Sequence, residues 1–106
     1  MLVCALDKFV FLRFDGMERR TYHFSGHVQG VGFRYTTHNI ALRHNVYGYV
    51  RNLPDGRVEL VMEGDEREME GVVQNLRQRM SEYVRNIEAH AAPATGEFER
   101  FSIKHC

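Results

Sequence analysis

The connection that decides the fold runs from Gly26 to Arg34 and spells Gly-His-Val-Gln-Gly-Val-Gly-Phe-Arg. Before it, in residues 21–27, Tyr22 and Phe24 alternate with polar residues, which is typical of a half-buried strand. After it, apolar residues recur at helical spacing over residues 33–44, where Asn45 ends the pattern. The sequence therefore predicts a strand, a glycine-rich turn and a helix in succession.

A hairpin is predicted next. Residues 46–53 and 57–63 are both rich in β-forming residues. They are joined by Leu53-Pro54-Asp55-Gly56, where proline fixes φ and glycine takes the permissive position of a tight turn.

The second helix is predicted to begin at Asp65, which forms a capping-box pattern with Glu68. Apolar residues then recur at helical spacing as far as Met80. A fourth strand is predicted at 84–91, a loop at 93–96 and a short last strand at 98–103.

The order βαββαβ with a final strand predicts an α+β fold, the ferredoxin-like α/β sandwich: an antiparallel sheet of four to five strands with two helices on one face. A strand, a helix and a second strand return the chain in its starting direction, so the first two strands are expected to run parallel. Their C-terminal ends then share one edge of the sheet. The glycine-rich turn and Asn52, at the end of the second strand, are therefore expected to meet.

The 106 residues suit one domain. We assign residues 17–106 to it and residues 1–16 to an N-terminal extension, because Met17 is a plausible start and Asp15-Gly16 interrupts the pattern before it. The extension contains the β-prone run Phe9-Val10-Phe11-Leu12-Arg13-Phe14. It is either dispensable or an added strand on a sheet edge.

Charge and targeting patterns exclude several classes of partner. Fourteen basic residues balance fourteen acidic ones, so the chain has no strong field to attract nucleic acid. No apolar run could span a bilayer, and Asp7 interrupts what would be a secretory leader. We expect a cytoplasmic monomer with neither nucleic-acid nor membrane partners. Cys4 and Cys106 are expected to be free thiols, although a bridge between them stays open.

No cofactor or metal is expected. The six histidines are scattered, and no CxxC pattern occurs. His23 and His27 are four residues apart, but they lie on a predicted strand and loop and not on one helix face.

The glycine-rich connection can bind an anion. Glycines let the backbone point several N–H groups inward, and the following helix N-terminus adds partial positive charge. Arg34, in the first helical turn, can donate two parallel hydrogen bonds to phosphate oxygens. The Gly-Lys-Ser/Thr ending of a nucleotide P-loop and the GxGxxG pattern of a dinucleotide site are both absent. On the residues alone, a glycine-rich turn with a surface arginine stays equally open.

Two motifs carry a family resemblance. Gly26-His27-Val28-Gln29-Gly30-Val31-Gly32-Phe33-Arg34 resembles the first signature of the acylphosphatase family, with its Val-Gln-Gly-Val-x-Phe-Arg intact. The second signature is similar to Gly48-Tyr49-Val50-Arg51-Asn52 followed by Gly56, Val58 and Gly64, and Phe101-Ser102-Ile103 is similar to the family's last strand. The likeness covers residues 18–105, and the extension is the main departure.

The resemblance implies an enzyme that hydrolyses acyl phosphates, without metal and with water as nucleophile, to a carboxylate and inorganic phosphate. Carried onto this sequence, it implies that Arg34 binds the phosphate and that Asn52 orients the water. The backbone amides of the phosphate cradle would belong to Val28, Gln29, Gly30, Val31, Gly32 and Phe33. We further expect His27 to be an exposed variable side chain, Gln29 to shape the loop through side-chain hydrogen bonds, and Arg51 to be a solvated charge.

Two alternatives stay open. The chain could be the acylphosphatase-like domain excised from a larger carbamoyltransferase of hydrogenase maturation. It could also be a catalytically silent anion-binding module, because a fold does not settle function. An RNA-binding sheet is disfavoured, since the paired aromatics and the basic face are missing.

Overall fold

The computed structural model describes residues 17–105. The predicted extension, the added strand considered for it and the Cys4–Cys106 question all lie outside these residues. Seven elements follow one another along the chain: β1 Met17–Gly26, α1 Phe33–Ala41, β2 Val46–Asn52, β3 Val58–Asp65, α2 Glu66–Arg79, β4 Val84–Pro93 and β5 Phe101–Lys104. This order confirms the predicted ferredoxin-like arrangement.

The five strands form one sheet in the order β4-β1-β3-β2-β5. Both β1 and β2 pair antiparallel with β3, so they run in the same direction, as predicted. β5 pairs parallel with β2, which makes the sheet mixed and not antiparallel throughout. The reason is that residues 94–100, here called the crossing segment, carry the chain from the β4 edge to the opposite edge and reverse its direction.

Alternation along the strands places the core beneath the two helices. Tyr22 and Phe24 of β1 are buried, and the Phe24 ring centroid lies 5.0 Å from that of Phe33 in α1. Burying one such large apolar side chain stabilises a fold by about 1.5–3 kcal/mol. Further fully buried apolar residues are Ile40 of the same helix and, in other elements, Val50, Val58, Leu60, Met62, Met69, Val72 and Leu76.

The end of the first helix and the cap of the second differ from the sequence prediction. α1 ends at Ala41 and not at His44, and turns follow over residues 42–45. The capping box at Asp65 was wrong, because the Asp65 side chain makes no cap hydrogen bond. Glu68 instead accepts from the Asn45 backbone N–H at 3.0 Å and lies 3.0 Å from Nδ1 of His44. It therefore joins the end of α1 to the start of α2.

The last strand also differs from its predicted start at residue 98, since β5 begins at Phe101. Phe98 lies in the crossing segment, where its ring packs edge-on against Tyr49 at a centroid distance of 5.9 Å. The same segment is held by Glu63, which is 2% exposed and accepts from the backbone N–H groups of Thr95 and Gly96 at 2.9 Å each. The crossing segment thus covers part of the sheet face that the helices leave open.

No helix in the part of the chain that the structure describes is long and apolar enough to cross a bilayer.

Candidate functional site

The glycine loop, residues 27–32, connects β1 to α1. Gly30 and Gly32 have φ values of +81° and +79°, in the left-handed region that residues with a Cβ rarely adopt. A Cβ at either position would meet no atom within 4 Å. These positions therefore require glycine because of the backbone conformation and not because a side chain would clash. These two turns bring the chain back to begin α1 beside the end of β1.

The N-terminus of α1 leaves backbone donors without helical partners. The residue before the helix is Gly32, which has no side chain to cap it. The hydrogen bond from the Thr36 N–H to the Gly32 carbonyl, at 3.0 Å, closes the first turn. The N–H groups of residues 33–35 precede that bond, and such groups are available to a ligand in the first turn of any helix. Together with the helix dipole they favour an anion here.

A pocket of about 260 Å³ opens at this helix end. We call it the loop pocket, and its lining residues are Val28, Gly30, Gly32, Phe33, Arg34, Tyr35 and Asn52. Val28 and Phe33 are 1% and 2% exposed and form an apolar floor that is continuous with the core. None of the seven residues is acidic, so no carboxylate in the lining opposes an anion.

Arg34 and Asn52 reach the loop pocket from different elements. Arg34 is the second residue of α1, and Asn52 is the last residue of β2. They meet because β1 and β2 run in the same direction, which puts the glycine loop and the end of β2 at the same sheet edge. This is the juxtaposition that the predicted strand order requires.

Gln29 fixes the loop to the hairpin that carries Asn52. Its side-chain amide donates to the carbonyl oxygens of Leu53, at 2.8 Å, and of Arg57, at 2.9 Å. These two carbonyls flank the turn between β2 and β3. The prediction that Gln29 shapes the loop through side-chain hydrogen bonds is confirmed.

Two of the predicted cradle residues do not line the loop pocket. Gln29 directs its side chain to the hairpin turn, and Val31 packs against the hydrophobic core. Val28, Gly30, Gly32, Phe33 and Arg34 do line it. The phosphate cradle formed by the backbone N–H groups of residues 28–33 concerns the main chain and stays a prediction.

The guanidinium of Arg34 has a neighbour that the sequence did not indicate. Its Nη1 atom lies 3.3 Å from Nδ1 of His105, the residue directly after β5. The two residues are 71 positions apart, and only the parallel pairing of β5 with β2 brings them together. No local sequence signal could have revealed this contact.

Neither His27 nor Arg51 lines the loop pocket. His27 is exposed, as predicted, and its ring centroid lies 6.4 Å from that of Tyr83. The Nε atom of Arg51 is 2.7 Å from Oε1 of Glu59. Arg51 is therefore a paired and not merely a solvated charge.

Tyr35 is a lining residue that the sequence analysis missed. It follows Arg34 in α1, lines the loop pocket and is 72% exposed. The sequence feature that could have indicated Tyr35 is its position directly after Arg34, the residue to which the family resemblance assigns phosphate binding.

Across residues 17–105, no three histidine, cysteine, aspartate or glutamate side chains lie close enough together to hold a metal ion.

The family model described as Acylphosphatase matches residues 20–103. An acylphosphatase of Syntrophus aciditrophicus is 43% identical over 88 residues, covering 82% of this chain and 92% of that protein. The crystal structure of acylphosphatase from Bacillus subtilis superposes with a TM-score of 0.75 at 30% identity and covers 83% of this chain and 99% of that one. HypF of T. kodakarensis gives a TM-score of 0.72 at 34% identity, over 84% of this chain but 12% of that one.

Proposed function

The chain belongs to the acylphosphatase family of hydrolases, and we propose that it hydrolyses the carboxyl–phosphate bond of acyl phosphates in the loop pocket. One observation carries the assignment of the site. Arg34, Asn52 and the N-terminus of α1 converge on a single small cavity with no acidic residue in its lining. The products are a carboxylate and inorganic phosphate.

Arg34 and the backbone donors bind the transferred phosphoryl group in this proposal. The guanidinium is always charged and presents parallel N–H donors that match phosphate oxygens. The N–H groups at the start of α1 add donors and the favourable end of the helix dipole. Phosphoryl transfer passes a loose transition state, so positioning and charge stabilisation supply most of the catalysis. Fixed donors in a preorganised pocket provide that stabilisation without reorganising during the reaction.

Asn52 orients the attacking water. A carboxamide offers donors and an acceptor but is not basic, so it cannot take the proton of the water. Its contribution is to hold the water in line with the phosphorus–oxygen bond that breaks, which is a proximity effect. The hydrogen bonds of Gln29 to the hairpin turn tie the end of β2 to the glycine loop. These hydrogen bonds therefore help to hold Asn52 at a fixed distance from Arg34.

The chemistry of the substrate explains why so few residues suffice. The leaving group is a carboxylate, and its conjugate acid has a pKa near 4, so it departs without a general acid. An ordinary phosphomonoester releases an alkoxide, which needs a proton donor or a metal ion. We propose that the enzyme works without a metal and acts only weakly on phosphomonoesters.

Two substitutions test the proposed roles separately. Arg34→Ala should lower kcat/KM for an acyl phosphate by roughly 100-fold or more and weaken inhibition by inorganic phosphate. Asn52→Ala should lower kcat by roughly 100-fold while leaving phosphate inhibition near the wild-type level, because it acts on the water. Arg43→Ala and Asn39→Ala are matched controls, since both residues are exposed and lie outside the loop pocket.

The roles are wrong if Arg34→Ala keeps the wild-type affinity for phosphate. They are also wrong if Asn52→Ala loses phosphate binding together with its rate. Circular dichroism of each variant shows whether a loss of activity reflects a loss of fold.

The similarity to HypF favours one alternative, that the chain works as a domain of a longer protein. If that longer protein is the carbamoyltransferase considered above, carbamoyl phosphate should be the preferred substrate. A comparison of kcat/KM for carbamoyl phosphate and for acetyl phosphate distinguishes the two candidates.

The predicted cytoplasmic location, the monomeric state and the absence of nucleic-acid or membrane partners belong to the same proposal. The balance of fourteen basic and fourteen acidic residues supports the absence of a nucleic-acid partner. Light scattering coupled to size-exclusion chromatography measures the oligomeric state directly.

A further inference from the structure

Two large hydrophobic side chains are exposed within residues 17–105, and both belong to α1 or the turn after it. Tyr35 is 72% exposed and Leu42 is 63% exposed. Leu42 lies at the far end of the helix, outside the loop pocket. Tyr35 lies at its near end and lines the pocket beside Arg34. A largely exposed tyrosine therefore belongs to the lining of the proposed active site.

The lining of the loop pocket has three parts. The floor is apolar and is formed by Val28 and Phe33, which the core covers. The polar groups that the proposed reaction uses belong to Arg34 and Asn52. The remaining residues, Gly30, Gly32 and Tyr35, are the exposed ones and form the rim. Among the rim residues, Tyr35 alone has a side chain with which to contact a ligand.

The lining of the loop pocket places the acyl part of a substrate near Tyr35. The pocket measures about 260 Å³, and its polar side chains, Arg34 and Asn52, are those proposed to act on the phosphoryl group and the water. Tyr35 belongs to the same lining and follows Arg34 directly in α1. The acyl group of a substrate whose phosphoryl group binds at Arg34 is therefore expected within reach of Tyr35.

We propose that Tyr35 is a specificity-determining residue that contacts the acyl group, so that the enzyme favours acyl phosphates of aromatic or bulky apolar carboxylic acids over acetyl phosphate. The inference rests on the proposed function and deepens it by naming the substrate class. Aromatic side chains interact with flat apolar groups through offset or edge-to-face packing. The partly open rim limits the gain, and we expect a contribution of roughly 3- to 10-fold in kcat/KM.

The test compares benzoyl phosphate with acetyl phosphate for the wild type, Tyr35→Ala, Tyr35→Phe and Leu42→Ala. Tyr35→Ala should lower kcat/KM for benzoyl phosphate by roughly 3- to 10-fold, mainly through KM, and change acetyl phosphate by less than about twofold. Tyr35→Phe keeps the ring and should keep the wild-type ratio. Leu42→Ala removes the other exposed apolar side chain and should change neither substrate.

Three outcomes would overturn the inference: an unchanged substrate ratio in Tyr35→Ala, an equal loss for both substrates, or the same loss in Leu42→Ala. The first two leave the proposed function intact, provided that the wild type hydrolyses both compounds. Hydrolysis of neither compound by the wild type would instead contradict the proposed function itself. The two failures are therefore distinguishable in one experiment.

Discussion

The two side chains proposed to act in the loop pocket are a charged guanidinium, Arg34, and an uncharged amide, Asn52. Arg34 keeps its charge throughout the physiological range, and Asn52 has no titratable group. Neither changes its protonation state between about pH 5 and 8, which lies between the reference pKa values of carboxylates and thiols. The proposed mechanism thus needs no general base or acid that titrates near neutrality.

The pH dependence of the rate follows from these two side chains. We expect kcat/KM for an acyl phosphate to be nearly flat from about pH 5 to 8. A clear step near 6.5, the reference value for histidine, would contradict that expectation. His105 would then be the first candidate, because its Nδ1 atom lies 3.3 Å from Nη1 of Arg34. The profile of His105→Gln identifies the source, with His27→Gln as the matched control for a histidine outside the loop pocket.

Between elements, two polar clamps hold the connections in place. One is the side chain of Gln29, which ties the glycine loop to the turn after β2. The other is Glu63 of β3, which receives the crossing segment through Thr95 and Gly96 and pairs with Arg19 of β1 at 2.8 Å. Both clamps link segments that are far apart in sequence.

Removing the first clamp should affect both stability and activity. Gln29→Ala leaves two carbonyl oxygens without their donor, and we expect the free energy of unfolding to fall by about 1–2 kcal/mol. We also expect kcat to fall, because the glycine loop and Asn52 lose their fixed relation. Urea denaturation and steady-state kinetics measure the two effects, with Gln74→Ala on the exposed side of α2 as control. Wild-type stability in Gln29→Ala would show that the clamp is dispensable.

The second clamp predicts a pH-dependent stability. Burial tends to raise the pKa of Glu63, but hydrogen bonds from the Thr95 and Gly96 backbone and from Arg19 outweigh it and hold the pKa below its usual range. A carboxylate whose pKa is lower in the folded state stabilises the fold at pH values above the ordinary glutamate pKa. This stabilisation is lost as the pH falls through the pKa of the folded state. The contribution of Glu63 is therefore complete at pH 7.

Glu63→Gln should lower the free energy of unfolding at pH 7 by about 1.5–3 kcal/mol. The difference from the wild type should shrink as the pH is lowered below about 4, since protonation then removes the same charge in the wild type. Urea denaturation at both pH values measures it, and Glu99→Gln in the exposed part of the crossing segment is the control. A difference that stays constant with pH would mean that the carboxylate charge is not responsible.

Across the fold, the features that the sequence could predict are those that depend on neighbouring residues or on general rules of chain connection. Alternation places Tyr22 and Phe24 in the core, and the glycines of the loop adopt the left-handed backbone that only they adopt readily. The direction rule for a strand, a helix and a strand then brings Asn52 to the glycine loop. Each of these steps depends on neighbouring residues or on a general constraint of chain connection.

The features that sequence could not predict depend on contacts between distant segments. His105 reaches Arg34 only because β5 joins the sheet edge beside β2. Glu68 leaves its expected capping partner because the backbone N–H of Asn45 lies within reach in the fold. The exposure of Tyr35 at the pocket rim likewise depends on how α1 meets the sheet, which no helical periodicity encodes.

The proposed reaction is tested first by phosphate release from benzoyl phosphate by the wild type in the presence of EDTA, with glycerol 2-phosphate, whose leaving group is an alkoxide, as the comparison substrate. We expect hydrolysis of benzoyl phosphate at a rate that EDTA does not change. Glycerol 2-phosphate should react at least about 100-fold more slowly, because no residue of the proposed mechanism protonates an alkoxide leaving group. Loss of the activity in EDTA, or comparable rates on the two substrates, would show that the proposed metal-free hydrolysis of acyl phosphates is wrong.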